Sequence, residues 1–305
     1  MSYIASLREE LRLPFNLIQK SLKTFHNLEL SSGALVEICH QIATMGKPLY
    51  NNLATQVKQE PVLHADETGW REGGVNGYVW GFNTPDYKYL TYRQTRGKIV
   101  VQEVVGQEFE GVLISDFYAS YNTHLGFHQR CWVHLLRDIK KLTEEHNQDV
   151  VNWASQVKDI YHQAKSYSGP DPNKFIGARA QELQRWKDQE EFRDRLLQIC
   201  RPFINKKVPQ QTLCQRIDKY QDELFMFIVD PRVSPDNNSA ERALRHTVIS
   251  RKISGGTRTK KGSKTKFTLA SLFGTWRLQA KNPFHECIKM LVASSTNQPL
   301  PAITV

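Results

Sequence analysis

Three acidic residues stand in settings suited to phosphoryl-transfer chemistry. Asp66 lies in VLHADETGW, Asp116 in GVLISDFYASY and Glu241 in DNNSAERALR. Each Asp follows a short apolar run of the kind that forms a buried strand, and alternation puts Val62, His64 and Asp66 on one face and Val112, Ile114 and Asp116 on another. Both Asp residues are therefore expected at the C-terminal ends of strands. Carboxylate oxygens are the hard ligands that Mg²⁺ or Mn²⁺ prefers. Two such ions can clamp the attacking and leaving oxygens of a phosphodiester. The plainer readings stay open: each Asp also suits a turn or helix cap, and Asn238 with Glu241 fits a capping box. Glu67 alternates to the face opposite Asp66 and is the weaker ligand.

The charge distribution points to a polyanion. Lys and Arg number 41 against 31 Asp and Glu, a net charge of +10. Nine of these cations, with no acid among them, fall between Arg242 and Lys266: Arg242, Arg245, Arg251, Lys252, Arg258, Lys260, Lys261, Lys264 and Lys266. Such a stripe grips phosphates without reading bases; the alternative is a solvated basic loop. Cys131 and His134 form a C-x-x-H pair, but no further ligands at zinc spacing accompany it. His64, Cys131 and His134 are read as supporting residues beside the site.

The elements that must position these groups follow from periodicity. Residues 1–60 read as a helical N-terminal region, with Ser31 or Ser32 as a cap and Gly46-Lys47-Pro48 as a stop or kink. Residues 61–144 alternate as short strands: VLHAD, YVWGFN and YKYLTYRQ form an antiparallel meander with Gly73-Gly74 as a turn. KIVVQEVVG then reads as a helix, GVLISD as a strand and HQRCWVHLLRDIKKL as a strand running into a helix. Residues 145–235 are wholly helical, and 236–305 bring a helix, a basic loop (SGGTRTKKGSKTK) and a last helical stretch. Trp70, Trp80 and Trp276 suit core packing better than base stacking.

In order along the chain, HADETGWR, SDFYASY, CWVHLLRD, NNSAERALR and SLFGTWRLQAKNPF resemble the DDE transposases of the insertion-sequence 66 family. The resemblance implies an α/β fold: a ribonuclease H-like core with a mixed five-stranded sheet, a helical insertion and a helical N-terminal region. It makes Asp66, Asp116 and Glu241 the catalytic, metal-holding set for two Mg²⁺ ions, with Mn²⁺ able to substitute. It implies metal-dependent cleavage at element ends and 3′-OH strand transfer into target DNA. Its partners would be element-end and target DNA, a homodimer or larger assembly on that DNA, and accessory proteins of the same element. Family members carry a further N-terminal zinc-binding region, which this sequence is expected to lack. The competing readings are therefore a simple metal-dependent nuclease of the same fold and a catalytically idle DNA-binding remnant.

Composition narrows the classes further. A hydrophobic content of 40% with 24% charged residues is that of a globular protein, with no apolar run long enough for a membrane span. Five scattered cysteines form no C-x-x-C pair, so no disulfide framework or four-cysteine zinc site is indicated. The expected location is the cytoplasm, on the nucleoid when DNA is bound. A glycosidase also uses paired carboxylates, but the basic stripe would serve no purpose there.

Overall fold

A computed structural model describes residues 1–106 and 109–303. The chain divides into two compact units, Met1–Phe109 with Asn238–Val305, and Glu110–Asn237. The protein is α/β, with five strands of mixed direction and many helices.

The first unit begins with four helices, α1 (Ser2–Glu9), α2 (Phe15–His26), α3 (Ser32–Met45) and α4 (Lys47–Gln59). Ser31 caps α3, its hydroxyl accepting the Ala34 N–H at 3.0 Å. Gly46 separates α3 from α4, and a Cβ there would press on Leu272 and Met290. The meander follows as β1 (Val62–Glu72), β2 (Val75–Asn83) and β3 (Lys88–Arg93), antiparallel throughout, and then α5 (Ile99–Val104). Gly73 and Gly74, both at positive φ, make the β1–β2 turn.

The second unit holds β4 (Val112–Ser115) and β5 (His128–Arg130), paired in parallel, then α6 (Trp132–Glu145), α7 (Gln148–Lys165), α8 (Ala178–Cys200), α9 (Gln211–Lys219) and α10 (Met226–Val229). The stretch from 166 to 177, which includes Ser168-Gly169-Pro170, separates α7 from α8. Trp132, Leu135, Trp153, Val157, Leu197, Cys200 and Phe225 form the core under these helices.

The chain re-enters the first unit with α11 (Asn238–Ser254), α12 (Lys260–Leu278) and α13 (Pro283–Ser295). Helices α11 and α12 cover one face of the meander through Trp70, Val79, Leu90, Leu244 and Phe267. Helix α12 also closes the edge of β3. The Ser271 hydroxyl accepts the Leu90 N–H at 2.9 Å and the Thr275 hydroxyl accepts the Lys88 N–H at 3.0 Å. Two hydroxyls one turn apart thus take the place of a neighbouring strand, which protects an otherwise open edge.

Two expectations are corrected. Asp66 does not end its strand: β1 continues to Glu72, because ETGWRE pairs with VNGYVW across the Gly-Gly turn. The basic loop is mostly helix: α11 runs to Ser254 and α12 starts at Lys260, capped by the Thr259 hydroxyl on the Gly262 N–H. Lysines at helical spacing were legible as a charge run but not as a helix start. Trp70, Trp80 and Trp276 are buried and all five cysteines are free and buried. Among the described residues, no helix is long and apolar enough to cross a membrane.

Candidate functional site

Asp66 and α11 meet on one face of the meander. Asp66 pairs with Gly81 of β2 and His64 with Asn83, so the four share a face. A Cβ at Gly81 would stand 3.2 Å from Leu244 Cδ2 and 3.2 Å from Asn83 Nδ2. Leu244 therefore rests directly on the strand position opposite Asp66. Seven residues on, the Arg251 guanidinium donates to the Gly69 carbonyl. Helix α11 thus runs along β1 in the same direction. Glu241 lies one turn before Leu244, about 4.5 Å back along the axis, level with the His64–Asp66 stretch. Ala240 and Leu244 are buried and Glu241 is half-buried on the flank of that stripe.

The same spot holds an orphaned polar group. Both amide atoms of Asn83 are buried without a hydrogen-bond partner among the described residues, and the side chain is 1% exposed. A buried amide left unsatisfied costs on the order of 1–3 kcal/mol, so this one suits a ligand or bound water. Asp66 itself accepts the Glu67 N–H at 2.8 Å through one carboxylate oxygen. Sequence reasoning passed over Asn83. The signal was a lone amide closing the apolar YVWGFN run beside an isolated strand glycine, which marks a close approach. Helix α11 begins at Asn238 and carries Glu241 in its first turn. Arg245, one turn after Glu241, is exposed.

Asp116 belongs to the second unit, directly after β4, as expected. One of its carboxylate oxygens accepts the Tyr118 N–H at 2.8 Å, which shapes the turn. Its backbone carbonyl accepts from Arg130 Nη1 at 2.8 Å. Arg130 is fully buried, and its other donors reach Glu223 at 2.5 Å and Asn122 at 2.6 Å, with the Tyr220 ring beneath it. This guanidinium fixes the end of β4 and hence the direction in which Asp116 leaves it. His128, held uncharged by its burial and by the Arg130 charge, bonds the Ser115 hydroxyl at 2.8 Å. Arg130 was visible only as one charge in HQRCWVH; nothing in its spacing announced that it would be buried.

The remaining residues sort by environment. Glu67 is buried and paired with Arg96 at 2.6 Å. The Cys131 sulfur accepts the Asn237 N–H at 3.2 Å, and burial raises its thiol pKa, which disfavours the thiolate that zinc requires. His64 is buried beside Asn83, and His134 sits in the first turn of α6. Among the described residues, no group of three or more His, Cys, Asp or Glu stands together as a ready metal cage.

The basic stripe divides in the same way. Arg242, Arg245 and Lys252 lie along one exposed edge of α11, and Arg258, Lys260 and Lys264 are exposed at the start of α12. Lys261 is also exposed but pairs with Glu37 at 3.2 Å. Arg251 bonds the Gly69 carbonyl of β1, and the half-buried Lys266 pairs with Glu9 at 2.8 Å. On the other side of α11, His246 and Lys88 lie near Arg277 and Lys266, which pair with Glu10 and Glu9. Burial, with Arg277 and Lys88 nearby, lowers the His246 pKa to about 4. Burial, with Arg277 and Lys266 nearby, lowers that of Lys88 to about 8.

Residues 1–265 match the family model described as Transposase IS66 family. The chain is also similar to the uncharacterized protein y4jD of Sinorhizobium fredii (strain NBRC 101917 / NGR234), at 22% identity over 308 residues. That match covers 89% of this chain and 58% of the relative, so the chain spans little more than half the relative's length. The family match takes in Asp66, Asp116, Glu241 and the basic start of α12, and the chain belongs to the IS66 family of transposases.

Proposed function

We propose that this protein is a DNA transposase of the DDE type with a ribonuclease H-like core, cutting at element ends and joining the freed 3′-OH to target DNA. The observation that carries the reading is the meeting of Asp66, the orphaned Asn83 amide and the first turn of α11, which bears Glu241, on one face of the meander. Asp66, Asp116 and Glu241 would hold Mg²⁺, or Mn²⁺ in its place. A hard-oxygen donor set with an unsatisfied amide oxygen beside it fits such an ion. When bound, a pair of these ions supplies Lewis-acid stabilisation and a lowered pKa for water or a terminal hydroxyl.

The chain's own residues do the positioning. Arg242, Arg245 and Lys252 neutralise and orient backbone phosphates along the exposed edge of α11, next to Glu241. Arg grips a phosphate through paired N–H donors, whereas Lys acts as a point charge. Arg130 keeps the end of β4 from shifting as charge accumulates near Asp116. The Asn83 amide orients a water or phosphate oxygen near Asp66. Two element ends must be joined in one event, so a homodimer or larger assembly on DNA is the working form, with accessory proteins of the same element as further partners.

The test is a strand-transfer assay on labelled element-end DNA with Mg²⁺ or Mn²⁺, comparing the protein with Glu241→Gln and Asp116→Asn. Metal-dependent joining lost in both variants, with DNA binding retained, is the expected result. Cleavage without joining would favour a nuclease. Binding with neither would mean a remnant.

A further inference from the structure

The first unit contains a second feature that the carboxylate site does not use. A cleft of about 710 Å³ opens between α3, α4, the edge of β3 and the first turns of α12. Its size lies within the ~300–1,000 Å³ of sites that enclose whole small molecules. We infer that this cleft is a single-nucleotide pocket: it takes one unstacked base of DNA, with that nucleotide's phosphate on the N-terminal turn of α12. The inference rests on the DNA reading above and adds a subsite to it, about 20 Å from Asp66 along β1 at ~3.3 Å per residue.

Two polar groups of the lining can meet a ligand. Glu72, 7% exposed, brings a carboxylate acceptor to the cleft wall. The Tyr92 hydroxyl is buried and unbonded, and burial with the Glu72 charge nearby raises its pKa. A buried hydroxyl left unbonded is costly, and a ligand's polar edge relieves that cost, while the carboxylate beside it can accept a ligand N–H. Aromatic faces stand beside these groups: Tyr50 and Tyr92 are both half-buried in the lining. Every base offers a π-face to such rings.

The mouth is cationic. Lys260 and Lys264 are exposed on the first turns of α12, a helix of 19 residues with no acid in its first turn. The helix N-terminus and its lysines together favour a phosphate at that point. Cations for a phosphate, rings for a base and a hydrogen-bond acceptor for a base edge are together the chemistry of a nucleotide. A base stacked inside a duplex cannot enter such a cleft, so the occupant is an unpaired or everted one.

Glu72 also sets a preference. A carboxylate can only accept, so it favours the amino-bearing edges of cytosine or adenine over thymine. The experiment measures fluorescence anisotropy of ten-nucleotide oligo(dC), oligo(dA) and oligo(dT). It compares the protein with Glu72→Gln and with Lys260→Gln/Lys264→Gln, and includes element-end duplex in parallel. The protein is expected to bind oligo(dC) or oligo(dA) roughly 10-fold more tightly than oligo(dT). Glu72→Gln, which can also donate, should erase that preference without weakening oligo(dT). The double lysine variant should weaken all three oligonucleotides alike and lower the salt slope by about 1–2. A 5-iodocytosine photo-crosslink should map to Tyr50 or Tyr92.

Equal affinities in the unaltered protein, a preference that survives Glu72→Gln, or crosslinks confined to other segments would each overturn the pocket. If the duplex is still bound and cut, the transposase reading stands while the pocket falls. Failure to bind any of these DNAs would sink both.

Discussion

Gly81 is where the geometry of the site is most exposed to a single atom. A Cβ there would meet Leu244 Cδ2 and Asn83 Nδ2 at 3.2 Å each and Leu90 Cδ2 at 3.3 Å. All three contacts are tight, and Leu244 sits on the helix that carries Glu241. Overpacking a core by one methyl costs about 1–3 kcal/mol. Removing a glycine's freedom from the unfolded chain returns about 0.4–1 kcal/mol. Gly81→Ala should therefore destabilise by roughly 0.5–2 kcal/mol, read as a lower urea midpoint at unchanged m-value.

The functional effect should be larger than the stability effect. Relief requires the Leu244 and Asn83 side-chain ends to give by a few tenths of an ångström beside Asp66, and a full 1 Å at a reacting group can cost about 10²-fold in rate. The diagnostic is rescue. Leu244→Ala alone should cost about 2–5 kcal/mol through the cavity it leaves. Because the new Cβ fills part of that cavity, the double variant should be more stable than the sum of the two singles by more than ~0.5 kcal/mol. Additive effects within ~0.3 kcal/mol, or a Gly81→Ala protein with full stability and full strand transfer, would refute the idea that α11 is seated on this glycine.

Three further outcomes follow from the buried charges. Lys88 is 6% exposed with its pKa lowered to about 8, so between that value and 10.5 the unfolded chain binds the extra proton and stability rises with pH. Lys88→Met should remove that rise and add up to ~3 kcal/mol at pH 7, as measured by urea unfolding at pH 7 and 9.5. His246, lowered to about 4 from 6.5, contributes stability that is lost as pH falls through that window; His246→Gln should flatten the thermal midpoint between pH 7 and 4.5. Arg130→Met strips Glu223, Asn122 and the Asp116 carbonyl of a common donor and should cost about 3–5 kcal/mol, whereas an unchanged midpoint would mean the network contributes nothing.

Much of the architecture was legible in the residues. The four N-terminal helices, the Ser31 cap, the Gly73-Gly74 turn, the strand–helix–strand order and the helical stretch after residue 145 all appear where periodicity and turn chemistry put them. These features are local: they depend on side-chain alternation and on glycine at positive φ, which neighbouring residues alone decide. The extent of β1 was not legible, because DETGWRE lacks apolar alternation and is held as a strand by its register with β2. The start of α12 was hidden for a similar reason, since a lysine run has no buried stripe until Ser263 and Phe267 reach the meander.

The sequence by itself determined which residue types were on hand: carboxylates in family motifs, a basic stripe and no disulfide framework. Only the tertiary structure decided their use. It turned Lys266 inward to Glu9 and Arg251 to the Gly69 carbonyl, and it buried Arg130 under the turn that carries Asp116. It also left the Asn83 amide and the Tyr92 hydroxyl without hydrogen-bond partners among the described residues. The physical reason is that a charge or amide is given a role by what it is packed against. For these residues the neighbours come from distant parts of the chain, and no local spacing records them.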